Sequence, residues 1–484
     1  MSDSNKKQAL PANPFTQDAE TMRRFGYRVI DMLVDDAQGL ARQPVGGGGD
    51  WDSVWAALNE SPPAAGVSDE ALFETLEKDV FTNTLRVNHR RFYGYVPAPG
   101  GFTGAMAETL AAGFNIFAGV APHNAGPTAI EMVTLRWLCE MMGLGPEFGG
   151  LFVSGGSVAN LTALAAARQR QLDNATEGAI AYCTEHSHSS LWRAMKILGF
   201  AESQISVVPA GPDFAFDCPA LETAIAADRA AGRTPFCVLA SAGTTDTGAI
   251  DPLDDLADIC ARHELWLHVD GAFGAAAAIT TRGRQLLGGL ERADSLSVDP
   301  HKWLFQPIDC GCVLLRDPGA LVDTFRILPP YMKDNDSDET LPNFRDLGIE
   351  VTRGLRALKL WMSIKRHGAN AFRQAIERGM ALVDFTRDIL DARPCWSLVT
   401  RSGIGVAVFR YRAPGLDDAA ADRLNRRIVG NCLDIGLALL STTEIKGRVA
   451  LRLSPINPAA RRSDIVATLD SLEEFARRIL DQDA

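Results

Sequence analysis

Short apolar segments alternate with segments of helical periodicity between about residue 100 and residue 320. This alternation constrains the fold more than any other feature, because strands that alternate with helices favour a mainly parallel sheet with helices over both faces. The apolar segments lie at residues 151–153, 179–183, 205–208, 236–240, 265–269, 296–298 and 312–315. The sequence therefore predicts an α/β domain built on a mainly parallel, seven-stranded sheet.

Two of these apolar segments end in chemically reactive side chains. Segment 265–269 runs into Asp270, and segment 296–298 is followed by Asp-Pro and then by His301 and Lys302. The carboxyl ends of strands line the crevice of an open α/β sheet, so an acid and an amine would face that crevice together. Pyridoxal phosphate needs this pair, because a lysine amine condenses with its aldehyde as a Schiff base and a carboxylate keeps its ring nitrogen protonated.

A third segment has the features of a phosphate site. Residues 151–153 run into Ser154, Gly155, Gly156 and Ser157, and an Ala/Leu-rich stretch follows. Glycines let the backbone approach an anion closely, and the start of a helix offers free N–H groups and the positive end of the helix dipole. We therefore expect a phosphate at Gly156 and Ser157.

Each of these features also has an ordinary structural explanation. An Asp after a strand is often a helix cap, a Lys is usually a solvated surface charge, and Gly-Gly-Ser before a helix is often a turn with a serine cap. Their joint placement at the ends of three strands favours the cofactor site.

Composition narrows the partners and the compartment. The net charge of −12 disfavours nucleic acid or anionic membranes as partners, since both need concentrated Lys and Arg. The nine cysteines are scattered, without the spacing of paired metal ligands, which suggests thiols in a reducing compartment. No apolar stretch approaches the roughly 20 residues of a membrane span, and the polar start lacks a secretion signal. We expect a cytoplasmic protein.

Five short motifs together resemble one enzyme family. They are Thr-Glu-His-Ser-His188-Ser-Ser, Gly-Thr-Thr245, His-Val-Asp270-Gly-Ala272, Asp-Pro-His301-Lys302-Trp303 and Leu-Pro-Pro-Tyr331. In order and spacing they resemble the group II pyridoxal-phosphate decarboxylases, most closely the aromatic-L-amino-acid decarboxylase branch. The resemblance covers nearly the whole chain. It implies the fold type I of pyridoxal-phosphate-dependent transferases and the decarboxylation of an L-amino acid to its amine and carbon dioxide, with an aromatic amino acid as the expected substrate.

The resemblance also implies a role for each residue of the site. Lys302 would form the internal aldimine, and Asp270 would keep the ring nitrogen protonated while a quinonoid intermediate stores the electrons. His188 would stack on one face of the ring and Ala272 would pack on the other. The remaining positions are Thr245 and Asp251 beside Asp270, and Gly156, Ser157, Asp299 and His301 around the phosphate. The family often has Asn where this chain has Asp299.

The resemblance gives positions for the product and the substrate as well. Tyr331 lies on the segment that forms the family's mobile loop, where related aldehyde-forming enzymes carry Phe. A phenol can donate a proton and a phenyl ring cannot, so Tyr331 favours the amine as the product. Tyr95, Pro97 and Phe117 match the positions that line the substrate pocket. Gly119 and Ala121, however, stand where members with aromatic substrates tend to carry bulky aromatic residues.

We predict three domains. Residues 1–99 form an N-terminal helical segment, whose amphipathic helix at 18–36 packs across the partner subunit in the resembling family and so implies a homodimer with shared active sites. Residues 100–375 form the large cofactor-binding domain and include a long helix through 355–366 and beyond. Residues 376–484 form a small α+β domain, with strand periodicity at 405–410 and 448–454 and helical periodicity at 417–433 and 463–480.

Several alternatives stay open at this point. The substrate could be an acidic or other non-aromatic amino acid, such as aspartate, glutamate or diaminobutyrate. An aminotransferase of the same fold would need an arginine clamp for the substrate carboxylate, for which Arg345, Arg353 and Arg356 are candidates. A non-catalytic binding protein is a further possibility. A metal at the two histidines of the His-Ser-His188 motif is disfavoured, because nothing nearby supplies the three or four ligands it needs. A nicotinamide enzyme is disfavoured, because no Gly-x-Gly-x-x-Gly follows a strand.

Overall fold

A computed structural model describes residues 13–46, 49–327, 342–401 and 403–483, except for the side chain of Pro122. Internal contacts divide the chain into two units, Met1–Leu85 and Arg86–Ala484. In the described part of the chain, every helix is too short or too polar to cross a membrane.

The first unit is helical. Its helices are α1 (Ala19–Gly39), α2 (Trp51–Leu58) and α3 (Asp69–Thr75). Asp18 caps α1, because its carboxylate accepts hydrogen bonds from the backbone N–H groups of Glu20 and Thr21. The amphipathic helix predicted at 18–36 is therefore present, yet none of its residues is buried and Met22 is 53% exposed.

The second unit begins earlier than the predicted boundary at 99/100. The N–H of Tyr93 donates to the carbonyl of Leu439 at 2.8 Å, and the N–H of Ser454 donates to the carbonyl of Tyr93 at 3.1 Å. Residues 86–99 thus pair with the C-terminal part of the chain. The predicted boundary at 375/376 falls within one continuous helix, Ala369–Asp391. Both domain boundaries stay predictions.

Helices of the second unit are α4 (Phe102–Gly113), α5 (Ala125–Met142), α6 (Gly156–Leu172), α7 (Ser189–Ile197), α8 (Cys218–Ala230), α9 (Leu253–His263), α10 (Thr281–Leu286), α11 (Gly319–Phe325), α12 (Ala357–His367), α13 (Ala369–Asp391), α14 (Asp418–Asp434) and α15 (Arg462–Asp483). The long helix predicted through 355–366 and beyond is wrong as a single element. It breaks between α12 and α13 at Gly368, whose φ of 77° leaves the helical region.

Strands of the large sheet are β1 (Gly149–Val153), β2 (Ala179–Cys183), β3 (Ile205–Val207), β4 (Thr234–Ser241), β5 (Trp266–Asp270), β6 (Ser295–Val298) and β7 (Gly311–Leu315). Within the described residues they form one seven-stranded sheet in the order β1-β7-β6-β5-β4-β2-β3. Only β7 runs antiparallel to its neighbours, and the other pairs are parallel. The predicted α/β class and the mainly parallel sheet are confirmed.

Every residue of β2, β5, β6 and β7 is buried. Strands that are buried on both faces read as continuous apolar runs, which explains why the sequence showed runs here and no alternation. The topology brings the carboxyl ends of β1, β4, β5 and β6, with the start of β7, to one edge of the sheet.

A smaller sheet follows toward the C-terminus. It consists of β8 (Trp396–Leu398), β9 (Ala407–Tyr411), β10 (Ser441–Ile445) and β11 (Arg448–Leu453), all antiparallel and in the order β10-β11-β9-β8. Helices α14 and α15 contribute Ile428 and Leu472 to a separate buried cluster against this sheet. The predicted strands and helices of the α+β region are thus present.

Candidate active site

A cavity of about 270 Å³ lies at the edge where the carboxyl ends of β1, β4, β5 and β6 meet. Nine of the residues predicted for the site line it, namely Gly156, Ser157, His188, Thr245, Asp270, Ala272, Asp299, His301 and Lys302. Asn160, Ser190 and Ser241 line it as well, and sequence reasoning did not single them out.

Glycines shape one end of the cavity. No side chain caps α6, so its first N–H groups, at Gly156 and Ser157, face the cavity without a side-chain acceptor. A Cβ on Gly156 would lie 2.9 Å from both the Cβ of Ala272 and Oδ2 of Asp299. A Cβ on Gly311 would lie 2.4 Å from the Cα of Gly155. Both positions are therefore restricted to glycine, and the turn is suited to an anion that contacts backbone N–H groups.

The lysine and its neighbours follow β6. Lys302 Nζ lies 2.9 Å from Oδ2 of Asp299, whose side chain is almost fully buried. The other oxygen of Asp299 has no hydrogen-bond partner among the described residues. Burial lowers the pKa of His301, and its Nδ1 accepts from the N–H of Cys310 at 3.1 Å, so the proton of the neutral ring is on Nε2.

Asp270, at the end of β5, is held by three donors. Its Oδ2 accepts from Asn160 Nδ2 at 3.0 Å, and its Oδ1 accepts from Ser297 Oγ at 3.0 Å and from the N–H of Ala272 at 3.1 Å. Burial alone would raise the pKa of Asp270, but the positive charge of Lys302 and the donated hydrogen bonds bring it below its usual value. The carboxylate is therefore ionised at neutral pH.

The two histidines after β2 have different environments. Nδ1 of His188 accepts from the N–H of Ser190 at 3.2 Å and lies 2.8 Å from the Ser190 hydroxyl, so His188 caps α7 while it lines the cavity. His186 Nδ1 lies 2.6 Å from Oδ2 of Asp246, a hydrogen bond that raises the pKa of His186 above its usual value. This pair joins the segment after β2 to the segment after β4.

Behind Asp270 lies a buried set of neutral side chains, Trp266, Ser295, His268, Asn160 and Ser190, which we call the polar relay. His268 Nε2 lies 3.0 Å from Asn160 Oδ1, and His268 Nδ1 lies 2.9 Å from Ser295 Oγ, to which Trp266 Nε1 donates at 2.7 Å. Burial lowers the pKa of His268 to about 4, so its ring is neutral.

A second buried polar group is ionic, and we call it the ionic clamp. Arg353 and Glu131 form a bidentate pair at 2.6 and 2.7 Å, and both side chains are 0% exposed. Glu131 accepts from the N–H of Phe152 on β1, while Arg353 donates to the carbonyls of Phe152 and Ala118. The clamp thus fixes the strand that leads into the glycine turn.

The contacts of the candidate arginines determine whether one of them is available to bind a substrate carboxylate. The two terminal nitrogens of Arg353 are engaged with Glu131 and backbone carbonyls, and its Nε is buried without a hydrogen-bond partner among the described residues. Arg356 is engaged with Glu350 through two hydrogen bonds. Two of the three arginines that an aminotransferase could use are therefore occupied by protein groups.

Asp251 lies behind the cavity and is absent from its lining. Its two oxygens accept from the N–H groups of Phe216 at 2.9 Å and Ser241 at 2.6 Å. Burial raises the pKa of Asp251 to about 6, against the effect of these hydrogen bonds. Because Ser241 pairs with Asp270 across β4 and β5, Asp251 supports the strand next to the acid.

The predicted substrate residues lie outside the lining of this cavity. Pro97 is buried and Tyr95 is 63% exposed. The ring of Phe117 packs against Gly119, because a Cβ added to Gly119 would lie only 2.6 Å from the Cζ atom of Phe117. Arg452 donates to the carbonyls of Tyr95 and Thr245, which brings the segment of Tyr95 to the edge of the cavity. Tyr331 lies outside the described residues.

Asn160 and Arg452 are the main residues that the sequence analysis missed. Asn160 lies one helical turn after Ser157 in an otherwise Ala/Leu-rich helix. A polar residue on the same helix face as Ser157 could therefore have been recognised as a candidate site residue. Arg452 lies within an alternating strand pattern, and nothing in its local sequence distinguishes it from a surface arginine.

Comparison with known proteins decides between the possible chemistries. A model of the pyridoxal-dependent decarboxylase conserved domain matches residues 54–412. The chain belongs to the pyridoxal-dependent decarboxylase family. An aromatic-L-amino-acid decarboxylase of Bacillus atrophaeus is 41% identical over 463 residues, which cover 95% of this chain and 96% of the relative. An L-2,4-diaminobutyrate decarboxylase of Rhizobium meliloti (strain 1021) is 29% identical over 471 residues, which cover 96% of this chain and 94% of that relative.

Solved structures agree with this family. The crystal structure of Oryza sativa TDC with PLP and tryptamine superimposes with a TM-score of 0.92 at 25% identity, and the match covers 97% of this chain and 100% of that chain. This decarboxylase therefore has the predicted fold type I, and it is a carboxy-lyase that uses pyridoxal phosphate.

The cavity of this decarboxylase has the donor set that pyridoxal phosphate requires. The uncapped turn at Gly156 and Ser157 offers N–H groups to a phosphate, the amine of Lys302 is available to an aldehyde, and Asp270 offers an ionised acceptor to a protonated pyridine nitrogen. When bound, the cofactor supplies an electron-accepting ring. The positions of the individual residues around it stay predictions.

Proposed function

We propose that this enzyme decarboxylates an aromatic L-amino acid to the corresponding amine and carbon dioxide. The observation that carries the proposal is one cavity lined by Lys302, Asp270 and His188 in a chain 41% identical to an aromatic-L-amino-acid decarboxylase. A decarboxylase for diaminobutyrate or an acidic amino acid is the second candidate, because the Rhizobium meliloti relative aligns over nearly the same length. The small residues Gly119 and Ala121 also favour this second candidate.

The main residues of the cavity each have a definite role in this proposal. Lys302 provides the amine that holds the cofactor, and the carboxylate of Asp299, 2.9 Å away, orients that amine toward the cavity. Asp270 stays ionised and keeps a proton on the pyridine nitrogen. His188 presents Nε2 to the cavity because its Nδ1 faces Ser190. Loss of carbon dioxide is favoured when the substrate carboxylate stays unpaired, which agrees with the engagement of Arg353 and Arg356 by protein groups.

Borohydride reduction followed by peptide mass spectrometry tests the cofactor part of the proposal. We expect a pyridoxyl group on the peptide that contains Lys302. The Lys302→Ala variant should lose the adduct and the visible absorption, whereas Lys196→Ala, at an exposed position on α7, should keep both. Absence of the adduct in the wild-type protein would overturn the proposal.

A panel of L-amino acids tests the reaction and the substrate. We expect amine and carbon dioxide in equal amounts from aromatic substrates. A preference for diaminobutyrate or an acidic amino acid would favour the second candidate, and a 2-oxo acid without carbon dioxide would rule out a decarboxylase.

We also propose Tyr331 as the donor of the proton that the product carbon requires. In Tyr331→Phe, the product should shift from amine toward aldehyde, with oxygen consumed and hydrogen peroxide released. An unchanged amine yield would remove this role.

A cytoplasmic homodimer completes the proposal. The homodimer is supported by the family resemblance and by the exposed apolar side chains of α1, among which Met22 and Phe25 are 53% and 37% exposed. Sedimentation should give a dimer, and Met22→Glu with Phe25→Glu should shift it toward monomer. A wild-type monomer at assay concentration would contradict this part.

A further inference from the structure

We propose that Asn160 is a positioning residue that holds the carboxylate of Asp270 and the imidazole of His188 as one hydrogen-bonded unit. The inference rests on the proposed function, in which these two groups contact different parts of the cofactor ring. It concerns a residue whose side chain lies in the wall of the cavity, between the acid and the histidine.

Each polar group of the Asn160 side chain has a hydrogen-bond partner. It is fully buried on α6, and its amide nitrogen donates to Asp270 Oδ2 at 3.0 Å and to Ser190 Oγ at 2.9 Å. Its amide oxygen lies 3.0 Å from His268 Nε2. An amide has two N–H donors and one carbonyl, so each has a partner here.

The ionised Asp270 determines the direction of every hydrogen bond in the polar relay. A carboxylate only accepts, so the NH₂ group of Asn160 must face Asp270 and its oxygen must face His268. His268 must then carry its proton on Nε2, and its bare Nδ1 accepts from the hydroxyl of Ser295, which in turn accepts from Trp266 Nε1. Only one arrangement of protons satisfies all these contacts.

The same logic extends to His188. Because the hydroxyl of Ser190 accepts from Asn160, its own hydrogen is directed to His188 Nδ1, 2.8 Å away. The N–H of Ser190 donates to the same nitrogen. Both donors leave the proton of a neutral His188 on Nε2. The acid behind the ring nitrogen and the histidine at the ring face are thus connected through two side chains.

A buried asparagine with only a packing role would affect stability and nothing else. Asn160→Leu removes the donors and the acceptor at similar size. Thr162→Val is the matched control, since Thr162 lies on the same helix, is fully buried, and has a hydroxyl without a hydrogen-bond partner in the described part of the chain. Thr162→Val removes a buried hydroxyl without a partner and should keep the wild-type stability, whereas Asn160→Leu should lose stability and alter the site.

The first measurement uses the holoenzyme. In Asn160→Leu the dissociation constant for pyridoxal phosphate should rise at least about 10-fold, the loss expected for a hydrogen bond to a charged group. The ¹⁵N signal of the cofactor's pyridine nitrogen should move toward the unprotonated position, and kcat should fall with little change in KM. Values within twofold of Thr162→Val and an unshifted ¹⁵N signal would overturn the proposal.

The second measurement needs no cofactor. The chain has eight histidines, so ¹⁵N-histidine labelling gives a spectrum in which His188 can be assigned by substitution. Asp270→Asn should shift the His188 Nδ1 signal in the wild-type background and leave it in place in the Asn160→Leu background. Equal shifts in both backgrounds would overturn the coupling. Should Asn160→Leu fail to fold, Asn160→Ala, which removes the two donors and the acceptor without adding a charge beside Asp270, is judged by the same outcomes.

The two measurements separate this inference from the proposed function. A wild-type protein without the Lys302 adduct would refute the function, while the cofactor-free spectrum would still decide whether Asn160 joins Asp270 to His188. Ser190→Ala isolates one branch. It should change the His188 signal and leave the pyridine signal near its wild-type position, because the contact between Asn160 and Asp270 remains.

Discussion

The ionic clamp and the polar relay are both buried in the second unit, yet they hold different parts of the protein. Arg353 and Glu131 bind mainly backbone atoms, namely the N–H and carbonyl of Phe152 and the carbonyl of Ala118. The relay instead holds functional side chains, because Asn160 contacts Asp270 directly and reaches His188 through Ser190. The charged pair thus holds the backbone in position, whereas the neutral side chains of the relay hold the functional groups of Asp270 and His188 in position. Neutral groups suit the second task, since an added charge beside Asp270 would shift its ionisation.

Breaking the clamp should give the largest effect. Arg353→Met leaves Glu131 buried and unpaired, so the free energy of unfolding should fall by about 3–5 kcal/mol. Urea unfolding followed by circular dichroism measures this loss. Arg356→Met, at a partly exposed pair, is the control and should cost about 1 kcal/mol or less. A loss as small as that of the control would show that the buried pair is not a structural clamp.

Removing the charge of Asp270, which the relay holds, should lower activity and leave stability nearly unchanged. Asp270→Asn keeps the shape but removes the charge, so kcat/KM should fall by roughly 10²–10³-fold, as for other losses of one preorganised electrostatic contact. The free energy of unfolding should change by about 1 kcal/mol or less, because the buried charge also carries a desolvation cost. Steady-state kinetics and urea unfolding on the same sample check both numbers. A stability loss equal to that of Arg353→Met would remove the contrast.

The pH dependence of stability sharpens the comparison. Burial lowers the pKa of His268 to about 4 from an unfolded value near 6.5, so its contribution is fully present above pH 6.5 and is lost as pH falls through 4. His268→Gln removes this titration. The wild-type advantage over His268→Gln should therefore shrink by about 3 kcal/mol at most between pH 6.5 and pH 4. A constant difference across this range would mean that His268 is not held neutral.

A partly exposed pair should show the smallest effect, with the opposite sign. Asp246 raises the pKa of His186, so the stability from this pair is fully present below pH 6.5 and is lost as pH rises through the raised value. The unfolding free energies of wild type and His186→Asn should differ by about 1 kcal/mol or less at pH 6 and should converge by pH 9. A difference that grows with pH would contradict the assigned direction.

How much the sequence could predict depends on the distance along the chain between interacting residues. Asp270 and Lys302 each follow an apolar strand directly, and strand ends meet at one edge of a parallel sheet, so their convergence was predictable. Asn160 and His268 are 108 residues apart, and Glu131 and Arg353 are 222 apart. No local pattern indicates that such pairs touch, because the contacts depend on strand order and helix rotation. The break at Gly368 was missed because the apolar periodicity continues on both sides of it.

The close approach of Gly311 to Gly155 has a consequence for engineering. Gly311 begins β7, the strand that runs against its neighbours, and even a methyl group there would push against the turn that precedes α6. Libraries intended to alter substrate preference should leave position 311 unmutated. A residue that never meets a ligand can still set the depth at which that ligand is held.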